Sequence, residues 1–504
     1  MVKNIKRVLI ANRGEIAVRI IRTLRDLGVE SVAVYSDADA QSSHRKLADF
    51  AYRLKGRTSA ETYLNLEALT EAIKASGADA VHPGYGFLSE DSNFCDMVTK
   101  LGCKFIGPSV KSMNVMGNKV SAKKLMKEYD VPTVPGSNGQ LNSLEELTTL
   151  AKEIGFPLIL KAAAGGGGRG MREVYEESQL KEAFEACSRE AVSYFGNGSV
   201  FAERLIQNPR HIEVQVLCDG KNGVHLFERD CSVQRRHQKL LEEAPSKFLS
   251  EAKRMELGDL AVRAALAVGY EGVGTVEFIC ESAENTYFME MNTRIQVEHP
   301  VTEMITGMDL IREQVLVADG QSLPFKQEDI IPRGWSFEAR INAEDPTKDF
   351  MPSPGKIESL HLPQGPYVRV DTHIYEGYQI PSEYDSMIAK VITWGPTREI
   401  AMDRLRRALS ELEIGGITTT ARFHEAVVSN ECFRSGNFDT DFIVKEAENL
   451  QKKMEEWHEE TKVDAALASA VLSQSTNSAR IDSMSPASRK NWTHKAIAES
   501  HNQY

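Results

Sequence analysis

The first hundred residues alternate short apolar runs with stretches whose apolar positions recur every three or four residues. The runs predict strands over 7–11, 31–35, 80–82 and 104–107, and the stretches predict helices over 15–27, 66–76 and 94–101. Such alternation implies βαβ units and a parallel sheet. Beyond a helical stretch over 115–129, the cluster Val131-Pro-Thr-Val-Pro-Gly136 predicts an interdomain hinge. A strand over 156–162 enters a glycine run, and an extended pattern resumes over 171–174. From residue 200 onward, strands over 211–218, 223–230, 273–280 and 287–292 with a helix over 251–268 predict an α+β core. The region 335–393 is strand-rich and is followed by helices over 397–412 and 419–429, a compact C-terminal unit. Ile443, Ala447, Leu450, Met454 and Trp457 then share one helical face. That face reads first as a helix packed on its own domain, with docking of a partner as the alternative. Residues 473–488 are rich in Ser, Asn and small polar residues and are expected to be mobile.

Composition sets bounds on this picture. A chain of 504 residues with 41% hydrophobic content can bury three or four cores. A net charge of -12 disfavours a broad nucleic-acid surface, which needs clustered Lys and Arg, and leaves room for a local basic cluster that holds a nucleotide. The seven cysteines, Cys95, Cys103, Cys187, Cys218, Cys231, Cys280 and Cys432, form no CxxC pair and read as free thiols of a reducing compartment. The apolar run over 8–11 is too short for a signal peptide, and no stretch approaches the roughly 20 residues that span a bilayer. The expectation is a cytoplasmic protein, or one of an organelle matrix after loss of a transit peptide, with no membrane and no nucleic-acid partner.

Candidate chemistry is concentrated in a few places. The turn Ala11-Asn12-Arg13-Gly14-Glu15 has one glycine where a dinucleotide fingerprint needs three, so it reads as a tight strand-to-helix turn. His82-Pro-Gly-Tyr-Gly-Phe-Leu-Ser-Glu90 is a second, glycine-rich strand exit that suits the wall of a crevice. Gly165, Gly166, Gly167 and Gly168, followed by Arg169 and Gly170, let backbone amides approach an anion and read as a phosphate lid. The Gly-Lys-Ser/Thr ending of a P-loop is missing, while Lys161 just upstream supplies a point charge for phosphate.

The turn Glu281-Ser-Ala-Glu-Asn285 predicts a hairpin that sets Glu277 nearly opposite Glu290. If the second strand stays extended, Glu290, Asn292, Arg294, Gln296 and Glu298 project to one side. Glu277, Glu290 and Asn292 are hard oxygen donors of the kind magnesium takes beside phosphates. Arg229 to Lys239 is the densest cationic run and reads as a second wall for anions, with Gln234, His237 and Lys239 as donors. Together these features predict a magnesium-dependent, ATP-cleaving ligase.

Six ordered motifs, Asn12-Arg-Gly-Glu-Ile-Ala17, His82 to Glu90, Gly165 to Met171, Arg229 to Lys239, Glu290 to Glu303 and Arg340-Ile-Asn-Ala-Glu-Asp345, resemble biotin carboxylase of the ATP-grasp superfamily. The resemblance covers about residues 5 to 446. It implies an α/β and α+β multidomain chain: a Rossmann-like pre-ATP-grasp domain over 1–114, an ATP-grasp domain over 115–334 with a mobile lid at about 132–204, a biotin carboxylase C-terminal domain over 335–446, and a helical extension and tail over 447–504. ATP would be contacted by Lys119, Lys161, His211, Gln234, His237 and Lys239, with Glu203, Arg204 and Ile206 near the adenine. Two Mg2+ or Mn2+ ions would be held by Glu277, Glu290 and Asn292. Bicarbonate would lie on Arg294, Gln296 and Val297, with Glu298 as the base, Lys239 beside it, and Arg340 stabilising the enolate-like oxygen of biotin. Ala164 stands where some members have a further lid glycine.

The implied reaction is the first half of an acyl-CoA or pyruvate carboxylase, as in fatty acid biosynthesis when the acceptor is acetyl-CoA. No Met-Lys-Met triplet is present. The biotin is therefore expected on a separate biotin carboxyl carrier protein. A carboxyltransferase is the further expected partner, and a homodimer is the family's assembly. Leu450, Met454 and Trp457 are candidates for docking such a partner. The alternative is another bicarbonate-activating ATP-grasp ligase, of the carbamoyl-phosphate synthetase type.

Overall fold

The computed structural model describes residues 2–137, 139–162, 171–195, 200–457 and 459. The chain divides into two compact units, Met1–Lys445 and Glu446–Tyr504. The first begins with β1 (Arg7–Ile10), α1 (Gly14–Asp26), β2 (Glu30–Tyr35), α2 (Ser43–Leu47), β3 (Phe50–Arg53), α3 (Leu66–Ser76), β4 (Ala80–His82), α4 (Ser92–Lys100) and β5 (Lys104–Phe105). The strands form a parallel sheet in the order β3-β2-β1-β4-β5. Its interior is built by the alternating apolar side chains of the strands, Leu9, Val32, Val34 and Val81, against Leu69, Ile73 and Phe94 of the helices. The order places β1 and β4 side by side, so both glycine-bearing turns leave the same sheet edge. Asn12 Nδ2 donates to the Pro83 and Tyr85 carbonyls at 2.7 Å each and locks the two turns together. Gly84, at φ +62°, would place any Cβ 2.9 Å from that amide nitrogen, so only glycine fits there.

The pattern over 115–129 resolves into two helices, α5 (Val110–Gly117) and α6 (Lys119–Glu128). Ser109 caps the first, and Asn118 stands between them with its side chain accepting from the Ser121 amide at 3.0 Å, so a new helix starts there. Next come α7 (Leu144–Ile154), β6 (Leu158–Ala162), β7 (Met171–Val174), α8 (Leu180–Phe195) and β8 (Val200–Arg204), with the strands in the order β7-β6-β8. Leu147, Leu158, Leu160, Val174, Val200 and Ala202 give this layer a core of its own. The glycine run Gly165, Gly166, Gly167 and Gly168 lies outside the described residues.

The remainder of the first unit is organised by one antiparallel sheet. Its elements are β9 (Arg210–Asp219), β10 (Gly223–Arg235), β11 (Gln238–Ala244), α9 (Glu251–Leu266), β12 (Glu271–Cys280), β13 (Thr286–Asn292), α10 (His299–Thr306), α11 (Leu310–Ala318), β14 (Trp335–Asn342), β15 (Glu344–Asp345), β16 (Met351–Pro352), β17 (Leu360–His361), β18 (Val368–Thr372), β19 (Met387–Gly395), α12 (Arg398–Glu411), β20 (Glu413–Ile414), α13 (Ala421–Ser429), α14 (Glu431–Ser435) and α15 (Phe442–Lys445). The sheet runs β13-β12-β9-β10-β11-β14-β19-β18, and β15–β16 and β17–β20 form two short pairs beside it. Ile212, Val214, Phe278 and Phe288 pack under α9, whose start is capped by Ser250. In the second unit residues 447–457 are helical. The segment 473–488, expected to be mobile, lies outside the described residues. No helix among the described residues is long and apolar enough to cross a membrane.

Candidate active site

Period-two alternation sorts the side chains of β9 and β12 onto two faces. Ile212, Val214, Val276 and Phe278 turn into the core, which leaves His211, Glu213 and Glu277 on the opposite face. The register then lines the acids up across three strands: Glu213 faces Glu277, and Glu277 faces Glu290. The expected pairing of Glu277 with Glu290 is therefore present. Glu213 was missed, although the sequence His211-Ile-Glu213-Val carries the same alternation.

This acidic row adjoins a cleft of about 1790 Å³ whose walls also include Tyr85, Lys161, Arg294 and Arg340. Lys239, from the start of β11, reaches into the row. Its Nζ donates to Glu277 at 2.9 Å and to Glu298 at 2.7 Å, and it also pairs with Glu213. Burial disfavours the ammonium, but the three carboxylates outweigh it and raise Lys239 well above its ordinary value. Burial likewise opposes ionisation of Glu277, and Lys239 and His211 overcome it, the latter with Nε2 3.2 Å from the carboxylate. The remaining contacts of Glu277 are amide donors, Asn292 Nδ2 at 2.9 Å and Gln296 Nε2 at 3.2 Å.

Glu298 is fully buried between two cations. Oε1 accepts from Lys239, and Oε2 accepts from Arg340 at 2.8 Å. Burial would push this carboxyl up, yet Lys239, Arg340 and Arg229 hold it well below the carboxylate range. Arg340 donates through Nε to Glu242 at 2.6 Å, so its planar fork bridges two acids. Arg294 is fixed by Glu90 at 2.9 Å, Gln296 at 2.8 Å and Asn292 at 3.1 Å. The Val297 carbonyl accepts from Lys390, itself wholly buried, at 2.8 Å.

Two expectations need correction. The strand carrying Glu290 does not stay extended to Glu298. It ends at Asn292, Glu90 draws the Thr293 amide aside at 2.9 Å, and Glu298 becomes the residue before α10, with Pro300 in the first turn. Arg294, Gln296 and Glu298 reach the cleft through this bend and not through strand periodicity. Nor is the run Arg229 to Lys239 a single cationic wall. It is the hairpin of β10 and β11, turning through Arg236 and His237 at positive φ. Arg229 is wholly buried, pinned by Glu213 at 2.6 Å, Gln215 at 2.7 Å and Thr302 at 2.9 Å. Arg235 and Arg236 pair with Asp349, while Gln234, His237 and Lys239 line the cleft as expected.

On the opposite wall Lys161 donates to Glu203 at 2.6 Å, and Lys123, unanticipated from the sequence, holds the other oxygen of the same carboxylate. Arg204 pairs with Glu281 and donates to the Tyr287 hydroxyl at 3.0 Å, and Ile206 is a buried lining residue. The side chain of Lys119 lies outside the described residues.

Three family models match along the chain: Biotin carboxylase, N-terminal domain, over residues 4–113; Carbamoyl-phosphate synthase L chain, ATP binding domain, over 118–326; and Biotin carboxylase C-terminal domain, over 338–445. The ATP-binding match spans the strands that bring Lys161, His211, Lys239, Glu277 and Glu290 together, and fold and cleft are those of an ATP-dependent ligase. The chain is 53% identical over 441 residues to biotin carboxylase 1 of Bacillus subtilis, covering 87% of this chain and 98% of the relative. It is 46% identical over 480 residues to a pyruvate carboxylase subunit of Methanothermobacter thermautotrophicus, covering 92% and 98%. Among solved structures, the biotin carboxylase domain dimer of Hydrogenobacter thermophilus 2-oxoglutarate carboxylase, in complex with MgADP, ADP and bicarbonate, is 47% identical with a TM-score of 0.82, covering 89% of this chain and 99% of that one. The chain belongs to the biotin carboxylase family. The flanking biotin carboxylase matches remove support from the carbamoyl-phosphate synthetase alternative.

Proposed function

We propose that this chain carboxylates biotin with bicarbonate at the expense of ATP, giving carboxybiotin, ADP and phosphate. The observation that carries the mechanism is the placement of Glu298, a buried carboxylate bracketed by Lys239 and Arg340 at 2.7 and 2.8 Å. Bicarbonate seated on Arg294, Gln296 and the Val297 backbone presents its proton to Glu298. While both cations grip it, Glu298 is a weak base. Anionic substrates draw Lys239 and Arg340 toward themselves, and the basicity of Glu298 rises as that grip loosens. The deprotonated bicarbonate oxygen attacks the γ-phosphorus of ATP, ADP leaves, and carboxyphosphate forms. Lys161, His211, Gln234, His237, Lys239 and the side chain of Lys119 are the proposed phosphate and ribose contacts, with Glu203, Arg204 and Ile206 at the base. The lid glycines Gly165 to Gly168 are proposed to exclude water.

Carboxyphosphate then breaks down to carbon dioxide and phosphate. Phosphate takes the biotin N1′ proton, Arg340 holds the enolate-like oxygen, and N1′ adds to carbon dioxide. Glu277 and Glu290, facing each other with Asn292 beside them, fit a hard divalent cation, Mg2+ or Mn2+. Bound there with nucleotide phosphates completing its shell, such an ion would neutralise the charge on the transferring phosphoryl group.

The proposed domain division is 1–114, 115–334 with a lid at about 132–204, 335–446, and 447–504. The proposed partners are a biotin carboxyl carrier protein and a carboxyltransferase, with a homodimer as the assembly, as in the dimeric Hydrogenobacter relative. Relatives are named for biotin, pyruvate and 2-oxoglutarate carboxylases, and the choice of acceptor is proposed to lie in the transferase. The test is ADP release by the purified chain with magnesium, measured with and without bicarbonate and free biotin. Release that needs bicarbonate and rises with biotin supports the proposal. Release stimulated by ammonia and indifferent to biotin overturns it.

A further inference from the structure

Antiparallel pairing of β11 with β14 puts Glu242 directly opposite Glu338, and both side chains are 0% exposed. Ionising both carboxyls in that relation is costly. Like charges directly across a strand pair repel, and removal from water adds to the cost of each. Their surroundings differ. Glu242 Oε1 accepts from Arg340 Nε at 2.6 Å, whereas Glu242 Oε2 is a buried acceptor without a donor. Neither oxygen of Glu338 receives a donor among the described residues. The cations nearest to Glu338 are committed to other acceptors. Lys390, from β19, donates to the Val297 carbonyl at 2.8 Å and lies 3.3 Å from Glu15 of α1. Arg340 bridges Glu242 and Glu298, Lys239 serves Glu213, Glu277 and Glu298, and the Tyr85 hydroxyl donates to Glu15.

A neutral carboxylic acid supplies what this arrangement lacks, because it donates an O–H where a carboxylate only accepts. We propose that Glu338 is a protonated carboxylic acid at neutral pH that donates to Glu242 and thereby positions Arg340. It is a positioning residue for the biotin step, acting through Glu242, and this role rests on the reading of Arg340 given above. Burial, opposed by Lys390, does push the Glu338 carboxyl well above the carboxylate range, and burial, opposed by Arg340, raises Glu242 to about 7. The proton left on Glu338 keeps Glu242 an anion, which holds the Nε edge of the guanidinium and leaves the other edge to Glu298 and substrate. When Arg340 turns toward the biotin oxygen, the Glu338 hydroxyl stays on Glu242 and keeps a donor on its charge.

The decisive measurement is infrared spectroscopy of the full chain at neutral pH. The wild type is expected to show the carbonyl stretch of a protonated carboxylic acid, shifted in heavy water and lost in E338Q. Kinetics then test positioning. E338L removes the donor, and kcat for biotin-stimulated ADP release is expected to fall about tenfold with KM for ATP unchanged. E338Q, whose amide donates as the acid does, is expected to recover most of that loss. Absence of the band in the wild type overturns the proposal, and this reading stands even if E338L does not fold. A band together with E338L turning over at the wild-type rate, or folded E338Q as slow as E338L, overturns the positioning role. Failure of the Arg340 reading itself looks different: Arg340 variants would then keep biotin stimulation while the band persists.

Discussion

Arg340 and Glu298 meet in a charge-assisted hydrogen bond of 2.8 Å, and the guanidinium reaches Glu242 at 2.6 Å with its other edge. One planar cation thus restrains the proposed base and is the proposed anchor for biotin. On that proposal Arg340 would bear on both half-reactions, and the consequences can be measured separately.

Glu298→Gln keeps the size of the side chain and removes the negative charge. Bicarbonate-dependent ADP release is expected to drop by about 10²–10⁴-fold, the usual contribution of a positioned base. Nucleotide binding, measured by calorimetry, should persist because Glu298 is not among the proposed nucleotide contacts. Turnover near wild type in this variant would refute the base assignment.

Arg340→Lys preserves charge but not the fork, and an ammonium on a flexible stem cannot hold Glu242 and Glu298 in the same geometry. Biotin-stimulated ADP release is expected to fall at least tenfold, while the slow bicarbonate-dependent release without biotin survives. Equal loss of both activities would place Arg340 in the first half-reaction.

Buried neutral histidines set an acid limit on stability. Burial lowers His44 and His424 to about 4 and His82 and His373 to about 3. The unfolded chain takes up these protons at about 6.5, before the folded one does, so folding stability is complete above that pH and is lost as pH falls from there toward 4. Thermal unfolding midpoints should decline steeply between pH 6.5 and 5. A flat profile across that window contradicts the burial of these rings in the folded state.

The segment after Lys445 is proposed to dock a carrier or transferase partner through Leu450, Met454 and Trp457. Truncation there should leave turnover with free biotin unchanged and abolish co-purification with the partner proteins. Intact assembly of the truncated chain excludes the docking role.

What the sequence disclosed follows from how locally each feature is encoded. The parallel sheet and the Glu277–Glu290 pair depend on period-two patterns and a short turn, and both were legible. The bend after Asn292 was not, because it is imposed by Glu90, some two hundred residues earlier, through the Thr293 amide. The hairpin of β10 and β11 was hidden by its charges: Arg229 looks like surface in a linear reading, and only Glu213 and Gln215 on the neighbouring strand explain its burial. Lys123 and Glu242 escaped for the same reason, since each gains meaning from a partner on another strand or helix. The helices over Leu144–Ile154 and Leu180–Phe195 carry an amphipathic pattern of their own, yet neither was anticipated.

The eight-stranded sheet crosses the long connection between α11 and β14, because β11 pairs with β14 from Leu241↔Ala339 to Ala244↔Ser336. Ile331 in that connection is 63% exposed. A protease that nicks the chain beside Ile331 would therefore leave two fragments that stay zipped by a shared ladder, co-elute on a sizing column and separate only in denaturant. The same feature makes the gene divisible: two open reading frames parted at this point would encode pieces that reassemble, with Arg340 arriving on one and Glu298 on the other.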